Sequence, residues 1–450
     1  MSRARTEEAT SPALGRYRPY PEYKDSGVEW LGEIPTSWRL LRLGFTVTEC
    51  QNGVWGEDPT GGVDDVSCVR VADFDRVKLR VSPANLTYRL IDERLFRKNA
   101  LVRGDLLIEK SGGGERQPVG AVVLCDLPVP AVCSNFIARM PPLTGYHANY
   151  LVYLHSMLYF ARVNTRSIKQ NTGIQNLDSR SYLSELVAVP TIEEQQAIGA
   201  FLDRETARID ELIAKKERLI ALLQEKRTAL ITRAVTKGLD PNVPMKDSGV
   251  EWLGEVPTHW RVSRLKQAAR MESGHTPDKK VPKFWDEGDI PWVSLADTSQ
   301  LRAGDYITDT AVRVTPEGIA NSSARLLPAG TVVFSRDATI GLCAITSETA
   351  TVSQHFIGWV CSNHLRPQYL LQLLRSMTQE LDRLTMGATV RTIGMDDVRR
   401  LAIPVPPLNE QDEIVASVLH ERRQVDELSA RTLQVSRVLK ELRTALISAA

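Results

Sequence analysis

The sequence predicts a mixed α/β (α+β) chain built from two similar domains, each followed by a long helix. Three observations predict it. The chain is written twice, with a period of more than 200 residues. An uninterrupted heptad pattern follows each copy. Within each copy, short apolar runs of strand length alternate with amphipathic helical stretches.

The duplication is plainest at 24–39, KDSGVEWLGEIPTSWR, and 246–261, KDSGVEWLGEVPTHWR, where 14 of 16 positions agree at an offset of 222. The correspondence continues as Val71-Ala72-Asp73 with Leu295-Ala296-Asp297, and Gly104-Asp105-Leu106-Leu107-Ile108 with Gly330-Thr331-Val332-Val333-Phe334. It goes on as Asn135-Phe136-Ile137 with His355-Phe356-Ile357, and Tyr150-Leu151 with Tyr369-Leu370. Later the offset settles at 216, through Val189-Pro190, Glu194-Gln195, Asp210-Glu211-Leu212 and Arg227-Thr228-Ala229-Leu230-Ile231 against their second copies. A period this long describes whole domains, not solenoid repeats.

The helix after the first copy carries the 4-3 seam Ile198, Leu202, Glu205, Ile209, Leu212, Lys216, Leu219, Leu223, Lys226, Leu230. The second reads Ile414, Val418, Glu421, Val425, Leu428, Thr432, Val435, Leu439, Leu442, Leu446. Neither Gly nor Pro interrupts 200–234 or 409–450, while Pro190 and Pro406 precede the helices and Gly238-Leu239-Asp240-Pro241 ends the first. About 42 residues at 1.5 Å each make a rod of roughly 60 Å. Two such helices of one register are expected to pair with each other; packing of each on its own domain is the alternative. Between them, Val102–Ile108, Gly120–Leu124 and Gly330–Ser335 read as strands, and Tyr150–Val163 and Pro367–Leu384 as amphipathic helices.

Composition narrows the class. Lys plus Arg number 56 against 55 Asp plus Glu, a net charge of +1, with 25% charged and 42% hydrophobic residues among 450. That is ordinary globular composition, and the length of two or three domains. No run of about 18 apolar residues predicts a membrane span, and Met1–Glu8 lacks an apolar signal region. Cys50, Cys68, Cys125, Cys133, Cys343 and Cys361 form no CxxC pair and read as reduced thiols of a cytoplasmic protein. A near-neutral chain is no uniformly basic binder, yet a local basic groove remains compatible with it.

Catalytic signatures are missing. No GxxxxGK[ST], strand-anchored GxGxxG, HExxH or GxSxG occurs, nor an Asn-Pro-Pro-aromatic box. Ser111-Gly112-Gly113-Gly114 lacks the Lys-Ser/Thr of a phosphate loop. Pro277-Asp278 resembles the start of a nuclease motif, but no Glu-x-Lys follows. The seven histidines are scattered. The chain reads as a binder.

Several segments together carry a resemblance. They are the Lys-Asp-Ser-Gly-Val-Glu-Trp-Leu-Gly-Glu-Ile/Val-Pro opening, Ser273-Gly274-His275-Thr276-Pro277 followed by Ile290-Pro291-Trp292-Val293, the Pro-x-x-x-Glu-Gln start of each long helix, and the Arg-Thr-Ala-Leu-Ile near each helix end. Over about residues 20–450 the chain resembles the specificity subunits of type I restriction-modification systems. Its first domain departs from the pattern, with Gln51-Asn52-Gly53-Val54-Trp55 in place of Ser-Gly-His-Thr-Pro. The resemblance implies an N-terminal tail (1–19), target recognition domain 1 (20–190), spacer helix 1 (191–238), target recognition domain 2 (239–406) and spacer helix 2 (407–450). The helices would pair as an antiparallel coiled coil with pseudo-twofold symmetry. Each domain would read one half of an asymmetric bipartite site on double-stranded DNA. The helices would set the gap and dock two methyltransferase (modification) subunits, and motor-nuclease (restriction) subunits would complete the complex. S-adenosylmethionine, ATP and Mg would belong to those partners, with no cofactor and no catalysis in this chain. A non-catalytic coiled-coil adaptor that binds no DNA is the alternative, and an enzyme with an unfamiliar site is a third class.

Base readout uses Arg or Lys for guanine and Asn or Gln for adenine. In the first domain the candidate DNA-binding residues are Lys110, Ser111 and Arg116, then Lys169, Gln170, Asn171, Gln175 and Asn176. In the second they are Arg336 and Thr339, then Thr389, Arg391 and Thr392. An ordinary solvated loop is the bland reading of each residue singly. Trp30, Trp38, Trp252 and Trp260, identical in two domains that differ elsewhere, are expected to pack, not to stack on bases.

Overall fold

The computed structural model describes residues 19–62, 65–171, 173–387 and 391–450. The expected tail, but for its last residue, lies outside them, as does Thr389. The chain divides into two compact units, Met1–Lys215 with Val435–Ala450 and Lys216–Gln434, so that the division runs through both long helices.

The first unit is built on a six-stranded mixed sheet in the order Gln51–Asn52, Ile137–Met140, Leu106–Glu109, Val122–Leu124, Arg80–Val81, Phe74–Asp75. Its central strands are apolar without alternation because both faces are covered. Leu106 and Ile108 face the helix Ala148–Phe160, through Leu151, Leu154 and Leu158. Leu107 and Val123 face a second cluster with Val69, Phe74 and Ile137. The predicted strand at 102–108 starts late. Val102 to Asp105 is a turn, in which the Asp105 carboxylate accepts from the Val102 N–H at 2.7 Å and from Arg139 Nε at 2.6 Å.

The second unit repeats the plan. Its five-stranded sheet runs Ala269–Ser273, Phe356–Cys361, Val332–Ser335, Cys343–Thr346, Tyr306–Ile307. Val332, Phe334 and Trp359 pack with Tyr369, Leu370, Leu373 and Leu374, and Val333 and Ala344 lie in the opposite cluster. The helix predicted over 367–384 is two, Pro367–Ser376 and Thr378–Arg383, with buried Met377 at the joint.

The repeated opening folds the same way twice. Tyr23–Asp25 pairs with Glu33–Pro35, and Met245–Asp247 with Glu255–Pro257, in the same register. In each turn the Asp carboxylate accepts the N–H of a glycine two residues on, at 2.9 Å; Gly27 and Gly249 sit at φ +65° and +67°, where a side chain would be strained. The next strand, Arg39–Arg42 or Arg261–Arg264, lies antiparallel to the one leading into the long helix, Leu186–Val189 or Ala402–Val405. The Glu-Gln of each helix start then locks the junction. Trp38 Nε1 donates to Glu194 at 3.4 Å, and Trp260 Nε1 to Glu410 at 2.8 Å. Buried Gln195 bonds the Pro190 carbonyl and the His147 N–H; buried Gln411 bonds the Pro406 and His364 carbonyls and the Arg366 N–H. The repeated residues are therefore those that close each domain onto its helix.

The long helices are Ile192–Lys237 and Leu408–Ala449. In the first unit Arg443 Nε meets Asp210 at 2.9 Å, while Leu202, Ile209 and Ile213 share a core with Leu446 and Ile447. In the second, Arg227 meets Asp426 at 2.9 Å, while Ala234 and Val235 share a core with Ile414 and Val418. Within each unit the two segments therefore run antiparallel. The seam departs from the predicted one at four positions: Ile213 and Arg227 are buried or half-buried where 212 and 226 are exposed, and Ser429 and Ser436 where 428 and 435 are exposed. Elsewhere the predicted residues hold their place, with 205, 219 and 442 half-buried beside Thr206, Ile220 and Arg443. Adjacent apolar residues, such as Leu212-Ile213 and Leu219-Ile220, leave a period of 3.5 compatible with either choice. Buried hydroxyls are satisfied along the helix: Thr206 Oγ1 donates to the Leu202 carbonyl at 2.6 Å and Thr432 Oγ1 to Leu428 at 2.7 Å. Leu428 and Val435 remain 44% and 43% exposed.

One buried base has a measurable consequence. His155, on the helix Ala148–Phe160, is wholly enclosed; Nδ1 meets Tyr182 Oη at 2.8 Å and Nε2 has no partner. Burial pulls its pKa from 6.5 down to about 3. The unfolded chain therefore takes up the proton first, so the stability is intact above 6.5 and is lost as pH falls from there toward 3. From pH 7 to 5 the first unit is expected to lose about 2 kcal/mol through this group. Urea unfolding at both pH values, with amide exchange of 148–160 reporting on this unit, checks it. His155→Gln should flatten the dependence; equal pH slopes in wild type and variant would refute it.

Candidate nucleic-acid interface

At one edge of each unit three backbone segments converge on the same hydrogen bonds. Gly53 donates to the Ile137 carbonyl at 3.0 Å and Gly274 to Phe356 at 3.3 Å. A Cβ on Gly53 would fall 1.9 Å from the Cys133 carbonyl oxygen, and one on Gly274 2.1 Å from that of Ser353. The sequences around these glycines differ, yet each lets two chains touch where no side chain fits. Buried Ser134 and Ser353 donate their N–H groups to Val69 and Val293, and Lys110 and Arg336 donate theirs to Phe136 and His355. This ladder pairs Asn135 with Gln354 and Phe136 with His355. The predicted alignment of Asn135 with His355 was one residue out, because the intervening connections differ in length.

The outcome is a rigid, buried frame that carries two side chains outward. Asn135 and Phe136 are exposed in one unit; Gln354 is exposed and His355 half-buried in the other.

The predicted contact residues cluster unevenly around these tips. Lys110 Nζ donates to Asn52 at 2.7 Å, and Ser111 Oγ to Asn176 at 2.6 Å across the strand pair Ser111–Gly112 and Ile174–Leu177. Lys169 lies opposite Asn176 in the hairpin and ion-pairs with Asp178 at 2.6 Å. Gln170 and Asn171 belong to the same hairpin by backbone pairing. Gln175 faces inward, buried, with its amide oxygen accepting the Val119 N–H at 3.3 Å. Arg116 stands apart, exposed on the Gly114–Gln117 turn.

In the second unit Arg336 Nη1 donates to the Ile393 carbonyl at 3.2 Å and lies 3.5 Å from Asp337. Thr392 Oγ1 donates to the Asp337 carboxylate. Thr339 sits in the turn after Asp337, its N–H 2.7 Å from that carbonyl. Arg391 is exposed and directed to Asp382 at 2.6 Å.

Sequence reasoning missed the tips themselves, as well as Thr276 and the cleft of about 470 Å³ lined by Trp55, Arg70, Ser111, Asn135 and Phe136. The Arg89 guanidinium lies 4.6 Å over the Trp55 ring, so that wall is held. Glu109, at the floor, is buried and paired with Arg76 at 2.7 Å; burial pushes its carboxyl above the ordinary range, and the arginine opposes that. The available signal was a Ser followed by a divergent polar pair, Ser134-Asn135 and Ser353-Gln354, but only the ladder aligns it. Among the described residues no group of His, Cys, Asp and Glu could hold a metal ion, and no helix is long and apolar enough to cross a membrane.

A family model described as the type I restriction modification DNA specificity domain matches residues 257–428, which include Arg336, Gln354, His355 and Thr392. The type I restriction enzyme MjaIX specificity subunit of Methanocaldococcus jannaschii is 28% identical over 169 residues, 37% of this chain and 38% of that protein. The MjaVIII specificity subunit of the same organism is 26% identical over 271 residues, 58% of this chain and 60% of that protein. These matches thus span less than two thirds of either relative. A solved chain described under complex assembly and conformational transition of the type I R-M system superposes with a TM-score of 0.68 at 19% identity, covering 92% of this chain and 97% of that one. At that identity the likeness establishes the fold.

Proposed function

We infer that the chain belongs to the family of type I restriction-modification specificity subunits and that, as such, it reads DNA for a complex whose chemistry other subunits perform. The observation that carries this reading is the coincidence of the matched DNA specificity domain with the edge of the second unit, where a stiff backbone frame presents hydrogen-bonding side chains. Duplex readers need such pre-set donors and acceptors, with cations nearby to engage phosphates. The first unit builds the same frame with different tips, so its half-site differs and the target is bipartite and asymmetric.

The two long helices act as spacer and as the docking site for modification subunits. Leu222, Leu428 and Leu433 in the second unit, and Leu212, Val435 and Val438 in the first, lie outside the seam and exposed, which suits helical partners. The S-adenosylmethionine, ATP and Mg of the system sit on the modification and motor-nuclease subunits, and the setting is cytoplasmic. The adaptor alternative leaves the frame and the domain match without a purpose.

Co-expression with the modification subunit, followed by sequencing of modified adenines, tests the reading. Two half-sites at a fixed gap are expected. Unmodified DNA, or one short undivided motif, refutes it.

A further inference from the structure

We propose that Gln354 reads an adenine in the half-site of the second unit, through one donor and one acceptor that neighbouring side chains hold in place; this rests on the DNA-reading function above. Gln354 lies at the tip of the buried frame. Its amide is bracketed on two sides. Thr276 Oγ1 donates to Gln354 Oε1, and Gln354 Nε2 lies 3.3 Å from His355 Nε2.

The identity of each amide atom follows from the chain of bonds behind it. Asp337 is buried, and its carboxylate can only accept. One oxygen takes the hydroxyl proton of Thr392, and the other lies 3.1 Å from His355 Nδ1. Nδ1 therefore carries the ring proton. In the neutral ring Nε2 is then a bare acceptor, and the atom facing it on Gln354 must be the N–H donor. The Thr276 hydroxyl can donate or accept, so the histidine sets the orientation and the threonine then donates to the oxygen. A glutamine held this way does not flip.

What remains is one N–H and one carbonyl lone pair, side by side and exposed, with no further partner among the described residues. Adenine presents an acceptor, N7, beside a donor, N6, in the major groove, the direct complement. Guanine presents two acceptors, so its O6 would meet the Gln354 oxygen and repel it.

The first unit lacks this arrangement. Phe136 stands where His355 does, Ser111 where Asp337 does, and Asn176 where Thr392 does. Among the described residues no hydrogen bond fixes the Asn135 amide. The relay is thus a property of one half of the duplication, as expected if it serves one half-site. Gln354 is the reading residue; Thr276, His355, Asp337 and Thr392 are positioning residues.

The test uses the full chain co-expressed with its modification subunit, with modified adenines mapped across a genome. For Gln354→Ala, discrimination at one A·T position of one half-site should fall by roughly 5- to 150-fold, the other half-site being untouched. His355→Phe, the residue the first unit carries there, should relax the same position in part; a merely structural role would weaken all positions alike. A wild-type map without a bipartite target would take the function and this inference down together. A bipartite wild-type map that Gln354→Ala leaves unchanged, or changes at a position that is not adenine or in both halves, overturns the inference alone. If Gln354→Ala abolishes modification, competition binding of the complex to duplexes altered position by position decides. Loss of discrimination confined to one A·T pair supports it, and uniform weakening overturns it. A wild-type response of His355→Phe removes the relay from the mechanism.

Discussion

Exchanging residues 43–185 for the matching stretch of a relative with another target is expected to replace one half-site entirely and leave the other as it was. The splice points follow from the fold. Arg39–Arg42 and Leu186–Val189 pair with each other, and the junction beyond them is held by Trp38, Glu194 and Gln195. A graft inside that pair brings a whole sheet and its tip without disturbing the junction. Each original base pair then counts as a mismatch at about 1–3 kcal/mol, so a half-site of a few pairs is discriminated against roughly a hundredfold or more. Mapping of modified adenines reads the outcome directly. A change in both half-sites would mean that the two units do not read independently.

Deleting one heptad from each long helix, residues 220–226 and 427–433 together, should shorten the gap and leave both half-sites intact. The choice rests on the register within the second unit. From Arg227 to Val235 the first helix advances as far as the second retreats from Asp426 to Val418. Removing opposed segments of equal length keeps the seam in phase. Seven residues at 1.5 Å shorten the spacer by about 10 Å, or roughly three base pairs. Removing 220–226 alone should abolish modification, because the remaining seam positions fall out of register. A matched deletion that leaves the gap unchanged would refute the spacer role.

The two variants act on levels that differ in how legible they were. The duplication, the helices and the pairing of Trp38 and Trp260 with structural duties could be read along the chain, since each is a local pattern written twice. The seam was legible in most of its positions, but not in all. Leu202 and Ile209 follow from heptad spacing, but the choice of Ile213 over Leu212 depends on which side the partner helix lies. Among the contact candidates, Gln175 looked like any polar loop residue, and its inward turn is set by the backbone N–H of Val119, 56 residues away. Gly53 and Gly274 stand in unlike sequences, and their common task is visible only as a close approach to another backbone.

By itself the sequence determined that this protein is two variations on one domain, joined to helices with a 3.5-residue repeat, and that its familiar catalytic motifs are absent. Only the tertiary structure decided which side chains stand at the reading edge and what each can still offer. The reason is the range of the forces involved. Periodic burial and turn chemistry act over a few residues and leave their mark on neighbouring letters. The bonds that orient Gln354 join it to Thr276, 78 residues back, and tie His355 through Asp337 to Thr392, 55 residues beyond that carboxylate. Such partners meet only after the sheet has formed.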